Sequence, residues 1–345
     1  MTVVEQAPWV ATLERWMQDQ GLVGPEAVTV IPIAGGSQNE LWQVRSGDTR
    51  LVLRRPPPGA SAGRVKEFSR EKRVLAALAD SDVPHARLAA ACDDDAVIGS
   101  AFYLMHFVDG WSPASSRTWP EPFETDLAQR PGLAYELVRG AALLSKVDWQ
   151  SKDLEGFGRP EGFHERQVDR WLDFLSQYRF RELPGLEEAA GWLRAHRPKS
   201  YSPGILHGDY QFANVMYKDG APAELAAIID WEMTTVGDPL LDLGWVLISW
   251  GEEADDMVHA RYLDTTGMPS RDDLLQHYAT ISGRPVDEID YYVVLARFKL
   301  GIVLEKSVAR ARAGGGSTFG VEVFEPLVLE LIRKSAELTR TTSLR

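Results

Sequence analysis

Residues 204–230 read GILHGDYQFANVMYKDGAPAELAAIID, and the organisation of the whole chain follows from this stretch. Three short apolar runs are split by Gly208-Asp209 and by Asp219-Gly220-Ala221-Pro222, which predicts short strands joined by tight turns. Asp209 and Asn214 fall on the first turn, and Asp230 ends the following run Ala226-Ala227-Ile228-Ile229. Two neighbouring bends are therefore expected to present three polar side chains to one pocket.

Those side chains match what phosphoryl transfer requires. A carboxylate must orient and deprotonate the attacking hydroxyl, and oxygen ligands must hold Mg²⁺ against the nucleotide phosphates. Asp209 suits the first task, and Asn214 and Asp230 the second. Taken singly, each is an ordinary loop or strand-end residue, and roughly three in four such isolated matches are only that. The combination is more specific. The chain holds two asparagines, Asn39 and Asn214, so a His-x-Asp-x-x-x-x-Asn match in a shuffled sequence arises roughly a few times in a thousand. Asn39 follows Gly35-Gly36-Ser37-Gln38 in a predicted hairpin. Small residues there let backbone N–H groups approach phosphate oxygens, although Gly-Gly alone is a common hairpin turn.

Working outward, Val28 to Leu53 alternates apolar and polar residues in three runs, an antiparallel meander. Ahead of it, Trp9, Leu13, Trp16 and Met17 predict a short peripheral helix ended at Gly21. A helix follows over Val65 to Leu78, then strands at Leu88-Ala89-Ala90-Ala91 and over Phe102 to Val108, giving five strands interrupted by one helix. Beyond Gly110 helical periodicity dominates, near 125–146, 163–182, 239–250, 270–282, 287–312 and 320–340. The expected organisation is α+β, with a small antiparallel-sheet lobe over 1–108 and a mainly helical lobe over 109–345. In Gly237-Asp238-Pro239 the aspartate is expected to cap a helix whose first turn holds the proline. Asp242 then faces back to brace the loop at Asp209, and His207 is read as a buried support. The cluster Trp171, Leu172, Phe174, Leu175 and Tyr178 reads as helix core.

Composition narrows the partners. The 345 residues carry 37 Lys+Arg against 50 Asp+Glu, a formal charge of −13. Such a balance repels polyanions, so neither nucleic acid nor an anionic membrane is expected as partner. The most apolar stretches are too short, or carry Arg297 and Lys299, to span a bilayer. One cysteine, Cys92, forms no internal disulfide and suits the cytosol.

Several motifs together carry a family likeness: His207-Gly208-Asp209 with Asn214, Val52-Leu53-Arg54-Arg55-Pro56-Pro57-Pro58-Gly59, Phe157-Gly158-Arg159-Pro160, and Asp230-Trp231-Glu232 running into Gly237-Asp238-Pro239. Over nearly its whole length the chain resembles the aminoglycoside phosphotransferase and choline kinase-like superfamily, whose two-lobed fold is similar to that of protein kinases. Within it, the chain is similar to the kinase-like domain found alone in bacteria and fused ahead of the dehydrogenase in some acyl-CoA dehydrogenase family members. The resemblance implies ATP, Mg²⁺ and a small-molecule hydroxyl acceptor. It implies Asp209 as catalytic base, Asn214 and Asp230 as metal ligands, and Met105, His106, Phe107 and Val108 as the adenine-facing hinge. Gly35, Gly36, Ser37 and Asn39 would cover the phosphates.

Arg54 stands where most relatives have a phosphate-holding lysine, with Glu71 as its carboxylate partner. A guanidinium keeps the charge but reaches differently from an ammonium. Read alone, the two are a solvated surface pair worth about 0–1 kcal/mol. For the acceptor, the resemblance implies a hydroxyacyl-CoA or hydroxy acid, with an aminoglycoside also open. Arg166, Arg170 and Arg179 are candidate anion contacts. The alternative is a catalytically silent nucleotide-binding regulatory module, prompted by the arginine at 54.

Overall fold

The computed structural model describes residues 8–33, 39–57, 59–113, 119–250, 264–315 and 320–344. Gly35, Gly36 and Ser37 lie outside the described residues. Two compact units make up the chain. The first holds residues up to Gly110 together with 150–154 and 226–232, and the second holds the remainder.

In the first unit, α1 (Val10–Asp19) ends at Gly21, whose φ of 68° lets the Leu22 N–H reach back to the Met17 carbonyl at 2.9 Å. The helix is not peripheral as its sequence suggested. Val10, Leu13 and Met17 are buried in one cluster with Val44, Leu51, Leu53, Phe102 and Leu104 of the sheet. An amphipathic stripe looks the same in sequence whether it covers a sheet or skims a surface, and only the apolar sheet face decides.

The strands are β1 (Thr29–Pro32), β2 (Glu40–Ser46) and β3 (Thr49–Arg55), then, after α2 (Ala62–Leu78), β4 (Leu88–Cys92) and β5 (Phe102–His106). They form an antiparallel five-stranded sheet in the order β1-β2-β3-β5-β4. Ser61 caps α2 by accepting the Arg64 N–H. Segment 226–232 belongs here because the Ile228 N–H donates to the Pro84 carbonyl at 2.8 Å.

The second unit is helical: α3 (Arg130–Ser145), α4 (Phe163–Ser176) and α5 (Leu186–Ala195) precede the strands β6 (Gly204–Leu206), β7 (Val215–Tyr217), β8 (Leu225–Ile228) and β9 (Thr235–Gly237). Of these, β8 runs from this unit into segment 226–232. Then come α6 (Leu240–Leu247), α7 (Arg271–Ser282), α8 (Ile289–Arg312) and α9 (Glu325–Thr341). Sequence reading missed α5, although Leu186, Ala189, Ala190 and Leu193 mark one buried face at helical spacing. It also missed β9, three residues long.

Helix α8 is the unit's axis, with an unbroken buried run from Tyr291 to Lys299. It comes close to α6 because Gly244 has no side chain: a Cβ there would stand 2.7 Å from the Tyr292 carbonyl oxygen. Asp238, expected as a cap, does accept the Leu240 N–H at 3.1 Å. Its other oxygen takes the Tyr292 hydroxyl at 2.5 Å and lies 2.9 Å from His164 Nε2, which ties α4, α6 and α8 together. Among the described residues, no helix is long and apolar enough to cross a membrane.

Candidate active site

In the second unit β6 pairs antiparallel with β9, Ile205 opposite Val236, and the chain turns sharply after Leu206. The turn demands glycine. Gly208 has φ 87°, and a Cβ there would stand 2.5 Å from the Met233 carbonyl oxygen. His207 is fully buried, and its Nδ1 accepts the Asp209 N–H at 3.3 Å. Behind the turn, Asp242 of α6 accepts the His207 N–H on Oδ2 at 2.6 Å and the Gly208 N–H on Oδ1 at 2.9 Å. Strand β6 and helix α6 thus fix the backbone that leads into Asp209.

The Asp209 carboxylate is positioned from its own loop. Gln211 Nε2 donates to Oδ1 at 2.8 Å, and Asn214 Nδ2 donates to Oδ2 at 2.9 Å and to the Asp209 carbonyl at 2.8 Å. With Asn214's amide nitrogen engaged, its Oδ1 is the atom left to meet a cation. The buried Tyr210 and Tyr217 hydroxyls donate to the Leu137 and Leu133 carbonyls of α3, each at 2.7 Å. Gln211 was missed in sequence, since a glutamine two residues past an aspartate carries no signal until the turn folds.

Burial pushes the Asp242 carboxyl up to about 7, against the two backbone N–H donors and Lys299, which favour its ionised form. A carboxyl raised in the folded state contributes stability that is complete below its unfolded pKa of about 4. That contribution is lost as pH rises through about 7. Asp242→Asn is therefore expected to flatten the fall in unfolding free energy between pH 4.5 and 7, by up to about 1.4 kcal/mol per pH unit for one proton. Urea unfolding of both proteins across that range checks it. Glu232 and Glu71 titrate with the same sign in both, so the difference isolates Asp242.

In the first unit Arg54 of β3 meets Glu71 of α2 with two contacts, Nη2 to Oε1 at 3.0 Å and Nε to Oε2 at 2.8 Å. This is no surface pair, because the side chains are 13% and 3% exposed. Tyr103 of β5 adds its hydroxyl to Glu71 Oε2 at 3.1 Å. Burial raises the Glu71 carboxyl, and Arg54 and the Tyr103 hydroxyl oppose that rise. Asp230, 45% exposed, lies 3.9 Å from Arg54 Nη2. Among the described residues it is the one non-glycine with positive φ, 65°, a backbone conformation that clusters at functional sites.

Glu232 is pushed up to about 7 by burial and then by Asp230 and Glu71. Glu71 and Asp230 thus both lie within 4.0 Å of one guanidinium, and Glu232 feels its charge, while among the described residues no three carboxylate, imidazole or thiol side chains are grouped to hold a metal ion. Asn39 is buried with its Oδ1 unpartnered among the described residues. In the stretch expected to be the hinge, Met105 pairs with Val52 and His106 with Leu51. Phe107 lies under the Arg50 guanidinium at 4.1 Å, and Val108 is half-buried.

A family model described as the phosphotransferase enzyme family matches residues 29–279. The chain belongs to that family. Among its relatives, human acyl-CoA dehydrogenase family member 11 is 25% identical over 341 residues, covering 96% of this chain and 43% of that protein. The chain thus spans less than half the length of that relative. A solved structure from Ralstonia eutropha, assigned as an aminoglycoside phosphotransferase, shares 28% identity at a TM-score of 0.78, covering 95% of this chain and 98% of the other. The phosphotransferase APH(4)-Ia, solved with AMP-PNP and hygromycin B, is 12% identical at a TM-score of 0.60, covering 96% and 99%. That last likeness is one of fold alone. This phosphotransferase therefore has the α+β, kinase-like fold that its motifs implied.

Proposed function

We propose that this phosphotransferase moves the γ-phosphoryl group of ATP to a hydroxyl of a small metabolite, with Asp209 as the base. The carrying observation is the Asp209 carboxylate, fixed by Gln211 and Asn214 on a loop that Asp242 holds from behind. As the acceptor oxygen bonds to the γ-phosphorus, its proton passes to a carboxylate oxygen of Asp209 and the bond from that phosphorus to the leaving ADP oxygen breaks. Arg54, held by Glu71, would grip the nucleotide phosphates. Asn39, with Gly35, Gly36 and Ser37, would cover them. Met105, His106, Phe107 and Val108 would receive the adenine.

The residues present fit Mg²⁺. Asn214 Oδ1 and Asp230 are oxygen donors of the kind this cation prefers, and Mg²⁺ is commonly held by one or two protein ligands completed by phosphates and water. When bound, Mg²⁺ neutralises charge on the nucleotide phosphates. Asp230→Ala is expected to weaken Mg·AMP-PNP binding about tenfold or more, while binding measured without Mg²⁺ changes little. Calorimetry with and without the metal checks this, and unchanged Mg-dependent affinity removes Asp230 from the role.

ATP as donor rests on the family likeness of the motifs around Asp209 and Asp230; APH(4)-Ia, solved with AMP-PNP, shares the fold. For the acceptor, the acyl-CoA dehydrogenase relatives support a hydroxyacyl-CoA or hydroxy acid, and the Ralstonia protein supports an aminoglycoside. Phosphate-transfer mass spectrometry across a panel of all three tests the reading. No transfer to any of them, with nucleotide still bound, favours the silent regulatory module that Arg54 raised.

A further inference from the structure

Lys299 lies in the buried stretch of α8 and is 5% exposed. Among the described residues it has no carboxylate within 4.0 Å and no hydrogen-bond acceptor. Instead its Nζ lies against two indoles, 5.2 Å from the Trp171 ring centroid on α4 and 5.6 Å from that of Trp245 on α6. Trp245 is also 5% exposed, and its Nε1–H is buried without an acceptor among the described residues. A second cation, the exposed Arg170, stands 5.5 Å from the same Trp171 ring.

The neighbouring cations are committed elsewhere. Arg166 donates to the Glu161 and Arg159 carbonyls, Arg179 pairs with Glu182, and Arg297 donates to the Lys334 carbonyl. An ammonium packed this closely among aromatic rings with no carboxylate in contact is costly, and something must offset it. Trp245 follows Asp242 by one turn of α6, and Asp242 holds the loop at Asp209 from behind, so Lys299 packs beside the element that braces that loop; burial lowers the Lys299 pKa to about 8, and the charges of Asp242 and Asp209 oppose that fall.

We propose that Lys299, the Trp245 indole N–H and Arg170 form a subsite that takes an anionic oxygen group, carboxylate or phosphate, of the acceptor. The inference rests on the phosphotransferase reading above and deepens it. An ammonium with no carboxylate in contact and an indole N–H with no acceptor among the described residues, both set among aromatic rings, select an anion, and the same charges repel the ammonium groups of an aminoglycoside. Trp171, which reads as core in the sequence, becomes a wall of this subsite. Lys299 itself was visible only as a charge interrupting an apolar run.

The test is equilibrium binding, read without turnover. Tryptophan fluorescence of the full chain, loaded with AMP-PNP and Mg²⁺, is titrated with 3-hydroxybutyrate, glycerol 3-phosphate and the neutral 1,3-butanediol. The two anions separate a carboxylate from a phosphate preference. At least one is expected to bind tenfold or more tightly than the diol. Lys299→Met is expected to weaken that anion at least tenfold and Arg170→Met a few-fold, with AMP-PNP affinity unchanged. Free of anion and below pH 7, where the Asp242 carboxyl is largely protonated and needs no cation beside it, Lys299→Met is expected to melt at or above the wild-type temperature, because it removes a packed ammonium with no carboxylate in contact.

Equal wild-type affinity for the diol and both anions overturns the proposal without any variant. So does Lys299→Met binding the anion as wild type does, weakening diol and anion alike, or melting far below wild type. Phosphoryl transfer that persists through any of these results sinks the subsite and leaves the transferase reading standing. Anion binding without transfer does the reverse.

Discussion

Asp209→Asn is expected to lower turnover by about 10²- to 10⁴-fold, the range that general-base assistance supplies, with Mg·AMP-PNP affinity largely kept. The substitution does more than remove a proton acceptor. Gln211 Nε2 and Asn214 Nδ2 both donate to this carboxylate, and an amide in its place must turn one N–H toward a donor. Asn214 is then pushed from its position, so Asp209→Asn is expected to be at least as damaging as Asp209→Ala, which leaves a gap but no repulsion. Single-turnover phosphate transfer with the best acceptor of the panel, beside calorimetric nucleotide titration, separates chemistry from binding. Equal ATP consumption by wild type and both variants across every acceptor would sink the base assignment.

Arg54→Met is expected to destabilise the protein by about 3–5 kcal/mol, the cost of leaving one member of a buried ion pair alone. A solvated surface pair would cost only about 0–1 kcal/mol, so the magnitude decides between the two readings. Glu71, 2% exposed, would keep the Tyr103 hydroxyl as its remaining partner. The double variant Arg54→Met with Glu71→Met is expected to recover most of the loss, because no charge is then stranded. Arg54→Lys is expected to fall between, since one ammonium does not reproduce the Nη2 hydrogen bond together with the close Nε contact. Urea unfolding of the four proteins checks the series, and an Arg54→Met loss below about 1 kcal/mol contradicts it.

How much of this was legible beforehand depends on the range over which each signal acts. The five strands and α2 were readable because alternation and turn residues are local properties. Asp242 was readable as a brace because it follows the Asp238 cap by one helical turn. Elements whose boundaries rest on few residues were lost, as with β9, and α5 was passed over despite its regular apolar spacing. Gly35, Gly36 and Ser37 fall outside the described residues, so their expected part in phosphate binding remains a proposal.

By itself the sequence determined the fold class and the spacing of Asp209, Asn214 and Asp230, since periodicity and turn chemistry act within a few residues along the chain. Tertiary structure alone decided which charges are buried and what faces them. Arg54 and Glu71 became a buried pair only when β3 met α2, and Lys299 became an unpaired cation only when α4, α6 and α8 closed around it. The physical reason is that a charge's environment is set by elements far away in sequence, and no local pattern records the dielectric into which a side chain will fold.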